Sequence, residues 1–362
     1  MERGREPAAR AEGADGAGDG MNRIFEEHRT LVSGAGCYTP DGLGQFEVTG
    51  PDAHAFVNRV ATLDVSLLPP GRFAHALILR DDAAILDRVT VYRFPDRIML
   101  LVDAQFRHAA WDYIVARKRG NVRLRDISDD VGLVTVRGPA TAIRVAPLMD
   151  AVPVEPGDVE TSRFAGVDVF AGRATLDGPD GIDFFCRKRD RDSLETGLRH
   201  AGVYPVAREA WDLLRLEWGV ARVGIEIDSD DTPVEAGLEN LVAEMKGAPF
   251  PGETALASRR RSGAMKRLVG FRVHGSELPT IGARVTVAGL MTDRVRSVGR
   301  SPRVGIIGMT AVPTSATTPG TPLHFEGGSQ SWTGEVVRRP FVSRGGMAAG
   351  DTTELPAAQR PT

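Results

Sequence analysis

Short apolar runs alternate along this chain with segments whose apolar positions recur every three or four residues. Ile98-Met-Leu-Leu-Val, Gly132-Leu-Val-Thr-Val and Val167-Asp-Val-Phe read as strands, since brief runs rich in Val, Ile and Leu fit a largely buried pleated ladder. Residues 104–118 place Phe106, Ala110, Tyr113, Ile114 and Arg117 on one side, which predicts an amphipathic helix. The body is expected to mix helix and strand.

One pattern occurs twice. Phe46-Glu-Val-Thr-Gly-Pro-Asp-Ala-His-Ala-Phe-Val and Val134-Thr-Val-Arg-Gly-Pro-Ala-Thr-Ala-Ile-Arg-Val each read as a strand, a Gly-Pro turn and a helix. The first helical turn accepts Pro because its N–H has no intrahelical partner there. Two related α/β halves enclosing a site would produce this repeat, although strand, turn and helix is also a common construction. After Gly263 the texture changes: Lys266-Arg-Leu-Val-Gly-Phe-Arg-Val, Ala283-Arg-Val-Thr-Val and Val304-Gly-Ile-Ile-Gly-Met are short, β-rich and separated by Gly and Pro. They predict a separate small barrel or sandwich over about 264–343.

Composition narrows the chemistry. With 362 residues, 42% of them hydrophobic, the chain can bury the cores of two or three domains. Its 45 basic and 48 acidic residues nearly cancel, so no general field recruits nucleic acid or an anionic membrane. Cys37 and Cys186 alone cannot make a disulfide scaffold or a Cys-rich zinc site, and a cytoplasmic setting is expected. Residues 1–21 carry mixed charge with Gly and Ala and read as a disordered tail, with Met21 a candidate start; 345–362 read as a second tail. No run approaches the length of a membrane span.

Walker A, dinucleotide-binding, H-E-x-x-H and Ser-elbow patterns are absent, and the seven His residues lack ligand spacing. His54 and His75 are accordingly read as surface or structural residues. The run Arg259-Arg-Arg-Ser-Gly-Ala-Met-Lys-Arg reads as a solvated helix end, with a patch for RNA or a polyglutamate tail as the alternative.

Between about Arg29 and Phe341 a set of ordered segments carries a family likeness. They are Val48-Thr-Gly-Pro-Asp-Ala, Ala84-Ile-Leu-Asp-Arg-Val-Thr-Val-Tyr, Leu101-Val-Asp-Ala, Gly178-Pro-Asp-Gly-Ile-Asp, Ala207-Arg-Glu, Arg215-Leu-Glu-Trp-Gly-Val-Ala-Arg-Val-Gly-Ile-Glu-Ile-Asp, Thr232-Pro-Val-Glu-Ala-Gly-Leu and Phe250-Pro-Gly-Glu-Thr-Ala-Leu. Val336-Val-Arg-Arg-Pro-Phe fits the terminal strand. In these segments the chain resembles the tetrahydrofolate-dependent aminomethyltransferase (glycine cleavage T-protein) family, as a divergent member. The resemblance implies an α+β, three-domain cloverleaf: two related α/β domains around a central folate channel and a small C-terminal β-barrel. The expected boundaries are 22–150 and 151–262 for the folate-binding halves and 263–344 for the barrel.

The resemblance also implies roles. The family holds the pterin with the last Glu of Gly-Glu-x-Gly-Phe-Glu, because a carboxylate can accept two hydrogen bonds from the ring's amino and N–H groups. Here Asp183 takes that place, one methylene shorter, so the ring is expected to shift or bind through water. Arg208 aligns with an Arg near the folate, where its planar fork suits pterin or carboxylate acceptors; the alternative is a surface salt bridge to Glu209 or Asp212. Glu235 is expected either to brace the loop closing the channel or to cap the following helix.

The sharpest departure is Ile85-Leu-Asp-Arg-Val. The family reads Asp-Asp-Leu there, and its second acid, thought to lie beside the reactive folate nitrogen, is Arg88 in this chain. Asp87 remains. The family's Asn after the next strand becomes Asp103, so an Arg88–Asp103 ion pair is expected. Asp87, Arg88, Asp103 and Tyr92 are the candidates for polarising, substrate-binding or proton-handling duties, with Arg88 suited to an acidic substrate. The reading is a tetrahydrofolate-dependent one-carbon transferase acting on a small substrate, other than in standard glycine cleavage, with a carrier protein as a further partner. Two alternatives stay open. One is a non-enzymatic folate-binding protein akin to the iron–sulfur maintenance branch, whose Lys-Gly-Cys-Tyr-x-Gly-Gln-Glu contrasts with Lys246-Gly-Ala-Pro-Phe-Pro-Gly-Glu here. The other is a regulatory protein that kept the fold.

Overall fold

The computed structural model describes residues 15–174 and 178–343. The chain opens with α1 (Asp15–Ser33), β1 (Gly36–Tyr38), β2 (Gly44–Thr49), α2 (Ala53–Val60), β3 (Arg72–Leu79), β4 (Ile85–Arg93), β5 (Ile98–Val102), α3 (Arg107–Ala116) and β6 (Arg123–Asp126). It continues through β7 (Val131–Arg137), α4 (Thr141–Val145), β8 (Val159–Phe164), β9 (Val167–Arg173), β10 (Gly181–Arg187), α5 (Arg191–His200), β11 (Tyr204–Pro205) and α6 (Arg208–Glu217). Two further helices, α7 (Pro233–Ala236) and α8 (Glu253–Ser262), lead into β12 (Lys266–Val273), β13 (Arg284–Val287), β14 (Leu290–Arg294), β15 (Ser297–Ser301), β16 (Gly305–Pro313), β17 (Pro322–Gly327) and β18 (Gln330–Val337).

Among the described residues these strands form three sheets, ordered β3-β4-β5-β2-β6, β11-β1-β7-β10-β9-β8 and β14-β13-β17-β18-β12-β16-β15. The repeated sequence pattern has a structural counterpart. In the first sheet β2 leads through α2 to a β3-β4-β5 meander whose last strand returns beside β2; in the second, β7 leads through α4 to β8-β9-β10, and β10 returns beside β7. Both turns need their glycine. Gly50 has φ +108 and Gly138 has φ +128, and a Cβ on Gly138 would lie 2.2 Å from the Gly34 carbonyl oxygen.

The sheets do not follow a division at residue 150. β1 pairs antiparallel with β7, Cys37 opposite Val136, so a strand from the start of the chain sits inside the second sheet. The tail expected over residues 1–21 also ends earlier, because α1 is helical from Asp15. Leu31 and Ile24 pack that helix against Ala210 and Leu214 of α6, and once nucleated a helix extends upstream at little cost per residue. The remainder of that tail and 344–362 lie outside the described residues.

Each layer has its own core. Phe46, Val48, Phe56, Val57, Val89, Val91 and Ile114 fill the space between the first sheet and its helices. Val134, Val136, Phe164, Phe184, Leu194 and Leu198 do the same in the second, and Phe271, Val285, Leu323 and Phe325 fill the barrel. A fourth cluster, including Leu77, Leu216, Ile227, Leu256, Ile307 and Phe341, joins the first sheet to the barrel. It leaves a channel between the three units.

Candidate functional site

Strand alternation decides what reaches the channel. Along β4, Ile85, Asp87, Val89 and Val91 are buried, while Arg88 and Thr90 between them are partly reached by water. Cross-strand partners on β3 extend the channel face, with His75 opposite Thr90 and Phe73 opposite Tyr92. The second sheet contributes Arg137 from β7 and Asp183 from β10, and α6 with its following turn contributes Trp211, Leu214, Arg215, Trp218 and Val220. Together they line a cavity of about 300 Å³. Arg88, Gly178, Trp218 and Val220 also line an adjoining cavity of about 630 Å³ that runs past Gly237, Leu238 and Asn240 to Leu268 and Arg339. Both volumes suit small ligands.

Asp183 is held firmly. Arg137 Nη1 donates to its Oδ1 at 2.8 Å, and Thr135, its cross-strand partner, donates a hydroxyl hydrogen bond to the same oxygen. Both bonds fall on Oδ1, so Oδ2 retains acceptor capacity. Arg137 also lies over the Trp211 ring, 5.4 Å from its centroid. His75 Nδ1 and Thr90 Oγ1 are 3.0 Å apart. Burial, with the neighbouring Arg88 and Arg137 charges, pushes the His75 imidazole well below its ordinary value, so it is neutral at pH 7. Burial lowers Arg88 to about 10, with Asp87 opposing, and the guanidinium stays charged.

Residues 18–246 match the GCVT N-terminal domain family, and residues 266–343 match the glycine cleavage T-protein C-terminal barrel domain. The chain belongs to the glycine cleavage T-protein family. Within that family, the aminomethyltransferase of Bacillus velezensis is 29% identical over 334 residues, covering 90% of this chain and 91% of its own. That of Streptomyces coelicolor is 31% identical over 340 residues, covering 88% and 89%. A crystal structure of glycine cleavage system aminomethyltransferase T from Bartonella henselae matches with a TM-score of 0.82 at 25% identity, over 88% of this chain and 89% of that one. The α+β architecture with two related α/β units and a C-terminal barrel is the one the family resemblance implied.

Within this T-protein fold, Arg88, Asp183 and the Tyr92 face of β4 come together, whereas the other expected site residues do not. Asp87 points to the opposite side of the strand. It is 1% exposed and accepts the Arg88 N–H at 2.8 Å and the Asp103 N–H at 2.9 Å. Burial raises its carboxyl to about 7, against the pull of those amides. Asp103 does not complete the expected pair with Arg88. Its carboxylate pairs with Arg222 at 2.9 Å and accepts the Gln105 N–H at 3.1 Å, because its strand ends there and the side chain caps the next turn. Tyr92 is 1% exposed and packed between Phe73 (4.9 Å) and Phe185 (5.1 Å). Burial and the Asp183 charge hold its phenol well above the ordinary range, so it keeps its proton.

Arg208 stands in the exposed first turn of α6, 3.4 Å from Asp212, and lines a different recess with Asp103, Trp211 and Arg222. Trp211 and Arg215 line both that recess and the cavity that holds Asp183. Glu235 closes a capping box at the start of α7, accepting the Thr232 N–H at 3.1 Å, and pairs with Arg259 at 3.4 Å. That is the capping role, fixed by the Thr-x-x-Glu spacing. Arg260 and Arg267 pair with Glu239, so part of the basic run is neutralised within the fold.

Sequence reading missed His75, Thr90, Arg137, Trp211 of α6 and Trp218 just after it. A signal was present: Phe73-x-His75 and Arg88-x-Thr90-x-Tyr92 interleave polar or aromatic residues with apolar ones, the mark of a strand with one wet face.

Proposed function

We propose that this chain binds a tetrahydrofolate derivative in the channel and transfers a one-carbon group, methyl, aminomethyl or related, between it and a small substrate, outside standard glycine cleavage. The observation that carries the departure is Arg88: a cation faces the channel where the family pattern has its second acid, while Asp87 beside it is turned into the core. A cation there opposes any positive charge that develops on a migrating aminomethyl group.

The residues present suit a pterin. Asp183 offers an acceptor oxygen within a cavity that also exposes Phe73, Trp211 and Trp218, so a flat ring has apolar faces and a polar edge to meet. Tetrahydrofolate, when bound, supplies the nitrogen that carries the one-carbon unit. The protein's contribution is to orient the ring through Asp183, to fix that carboxylate through Arg137 and Thr135, and to exclude bulk water with Trp211 and Trp218. Neutral His75, bonded to Thr90, can accept or donate a proton at Nε2.

A second reading is standard aminomethyl transfer from a carrier protein, favoured by relatives named aminomethyltransferase that align over about 90% of the chain. One experiment tests both. Titration with tetrahydrofolate should quench the fluorescence of Trp211 and Trp218, and no response at saturation removes the folate reading. Methylenetetrahydrofolate formation from an aminomethylated lipoyl carrier protein should be negligible in the native chain and should rise in Arg88→Asp. Full native turnover in that assay would favour the second reading.

A further inference from the structure

We propose that Tyr38 and Trp211 are positioning residues for the ligand acceptor: their stacked rings hold the Arg137 guanidinium so that it engages one oxygen of Asp183 and leaves the other for the ligand. The inference deepens the folate reading and rests on it for the identity of the ligand, not for the geometry.

Strand register puts the parts on one face. β7 lies between β1 and β10, with Thr135 opposite Tyr38 on one side and opposite Asp183 on the other. Residues directly opposite, and residues two apart along a strand, point to the same side of a sheet, so Tyr38, Thr135, Asp183 and Arg137 share a face. Arg137 in turn lies opposite Gly36 and Gly181. A Cβ on Gly181 would lie 2.6 Å from Arg137 Cδ, so the stem of the arginine runs beside β10 in space that glycine leaves open. Over this face α6 and its C-cap place Trp211, Leu214, Arg215 and Trp218 at helical spacing. Trp211 stacks on Tyr38 with ring centroids 5.3 Å apart and planes 24° from parallel, and both rings pack against the cluster of Leu31, Ala210 and Leu214. The Arg137 guanidinium carbon lies 5.4 Å from the Trp211 centroid, within the range of a cation–π contact.

The one-sided pairing of Arg137 with Asp183 requires a cause. An arginine and a carboxylate within reach of each other frequently meet fork to fork, with two parallel bonds that use both oxygens. Here, among the described contacts, Nη1 alone joins them: it donates to Asp183 Oδ1 at 2.8 Å and to the Val136 carbonyl at 2.9 Å, and the Thr135 hydroxyl donates to the same Oδ1. A long side chain with several free torsions gives up conformational entropy to stay in one such arrangement, and the contacts that hold it must outweigh that cost. The Trp211 face attracts the guanidinium where it stands, and the stack with Tyr38 keeps the indole from turning away. Without the indole the arginine can swing into the fork and occupy Oδ2, the acceptor that a pterin edge needs.

The test is a double-mutant cycle on the full-length chain, read by calorimetric titration with tetrahydrofolate. Trp211→Leu and Arg137→Leu should each weaken binding about three- to tenfold, and the double variant should be no more than about twofold weaker than the weaker single one, because the indole acts through the arginine. Trp211→Phe, which keeps a ring beside the guanidinium, should bind within about threefold of the native chain. Tyr38→Leu, which leaves α6 untouched, takes the place of Trp211→Leu in the cycle if that variant folds poorly. Losses that multiply in the double variant mean that the indole serves the ligand directly and overturn the proposal. Native affinity in the folded Leu variant, or a Phe variant as weak as it, overturns the proposal too. A native chain that does not bind tetrahydrofolate sinks the proposed function instead, and the positioning role is then decided by the same cycle in urea unfolding: stability losses that fall short of their sum sustain it, and losses that add overturn it.

Discussion

Arg137 and Asp183 meet across adjoining strands of the second sheet, Nη1 to Oδ1 at 2.8 Å, so the channel's one described acid is tied down at one oxygen. Removing it deletes both an acceptor facing the cavity and a partner for the Arg137 cation. Asp183→Ala should weaken tetrahydrofolate binding by about 1.5–3 kcal/mol, the cost of a charge-assisted hydrogen-bonded pair. Calorimetry on protein shown to be folded measures it; unchanged affinity would mean that Asp183 does not hold the ring.

Asp87 makes a pH prediction. Its folded carboxyl is raised to about 7 by burial, above the ordinary value of 3.8, so the folded state keeps a proton that the unfolded state releases. This contribution to stability is fully present below about pH 4 and is lost as pH rises through about 7. Asp87→Asn, which cannot titrate, should lack that part of the slope. The difference between native and variant unfolding free energies, followed by urea from pH 4 to 8, should therefore shift against the native protein as pH rises. A difference that is flat with pH would show that Asp87 is ionised throughout.

Glu235 is assigned to structure by its geometry. Glu235→Ala removes the capping box and the 3.4 Å pair with Arg259, and should cost about 1–2 kcal/mol of stability. Folate affinity should stay within error, and a large loss of affinity at unchanged stability would return Glu235 to the ligand.

Gly138 is required by space as well as by φ. Gly138→Ala would set a methyl 2.2 Å from the Gly34 oxygen, which already accepts the Ala140 N–H at 2.9 Å. Destabilisation of more than about 2 kcal/mol is expected in urea, whereas Gly247→Ala, which meets nothing within 4 Å, should change stability by no more than about 0.5 kcal/mol.

Local features were the legible ones. The repeated strand, Gly-Pro and helix units, the helix carrying Ala110 and Ile114, and the barrel beyond Gly263 are written in periodicity and turn residues, which act over a few positions. The orientation of Arg88 was implicit in the alternation of β4. Partnerships between distant segments were not legible. Asp103 finds Arg222 across 119 positions, and no local pattern distinguishes Arg222 from the other arginines near it. Likewise the Ala207-Arg-Glu match gave Arg208 its alignment but not its exposure, which depends on how α6 turns Trp211 inward.

The place of β1 has a consequence for how the chain is made. Cys37 pairs with Val136, about a hundred residues further along. On a ribosome adding roughly 5–20 residues per second, β1 would wait on the order of 5–20 s before its partner is synthesised. The first sheet, complete by Asp126, can form in that interval, but the second must reach back across it. Slowed translation between Asp126 and Val136 would thus prolong the exposure of an unpaired strand, and it is there that synonymous codon choice should bear most on yield.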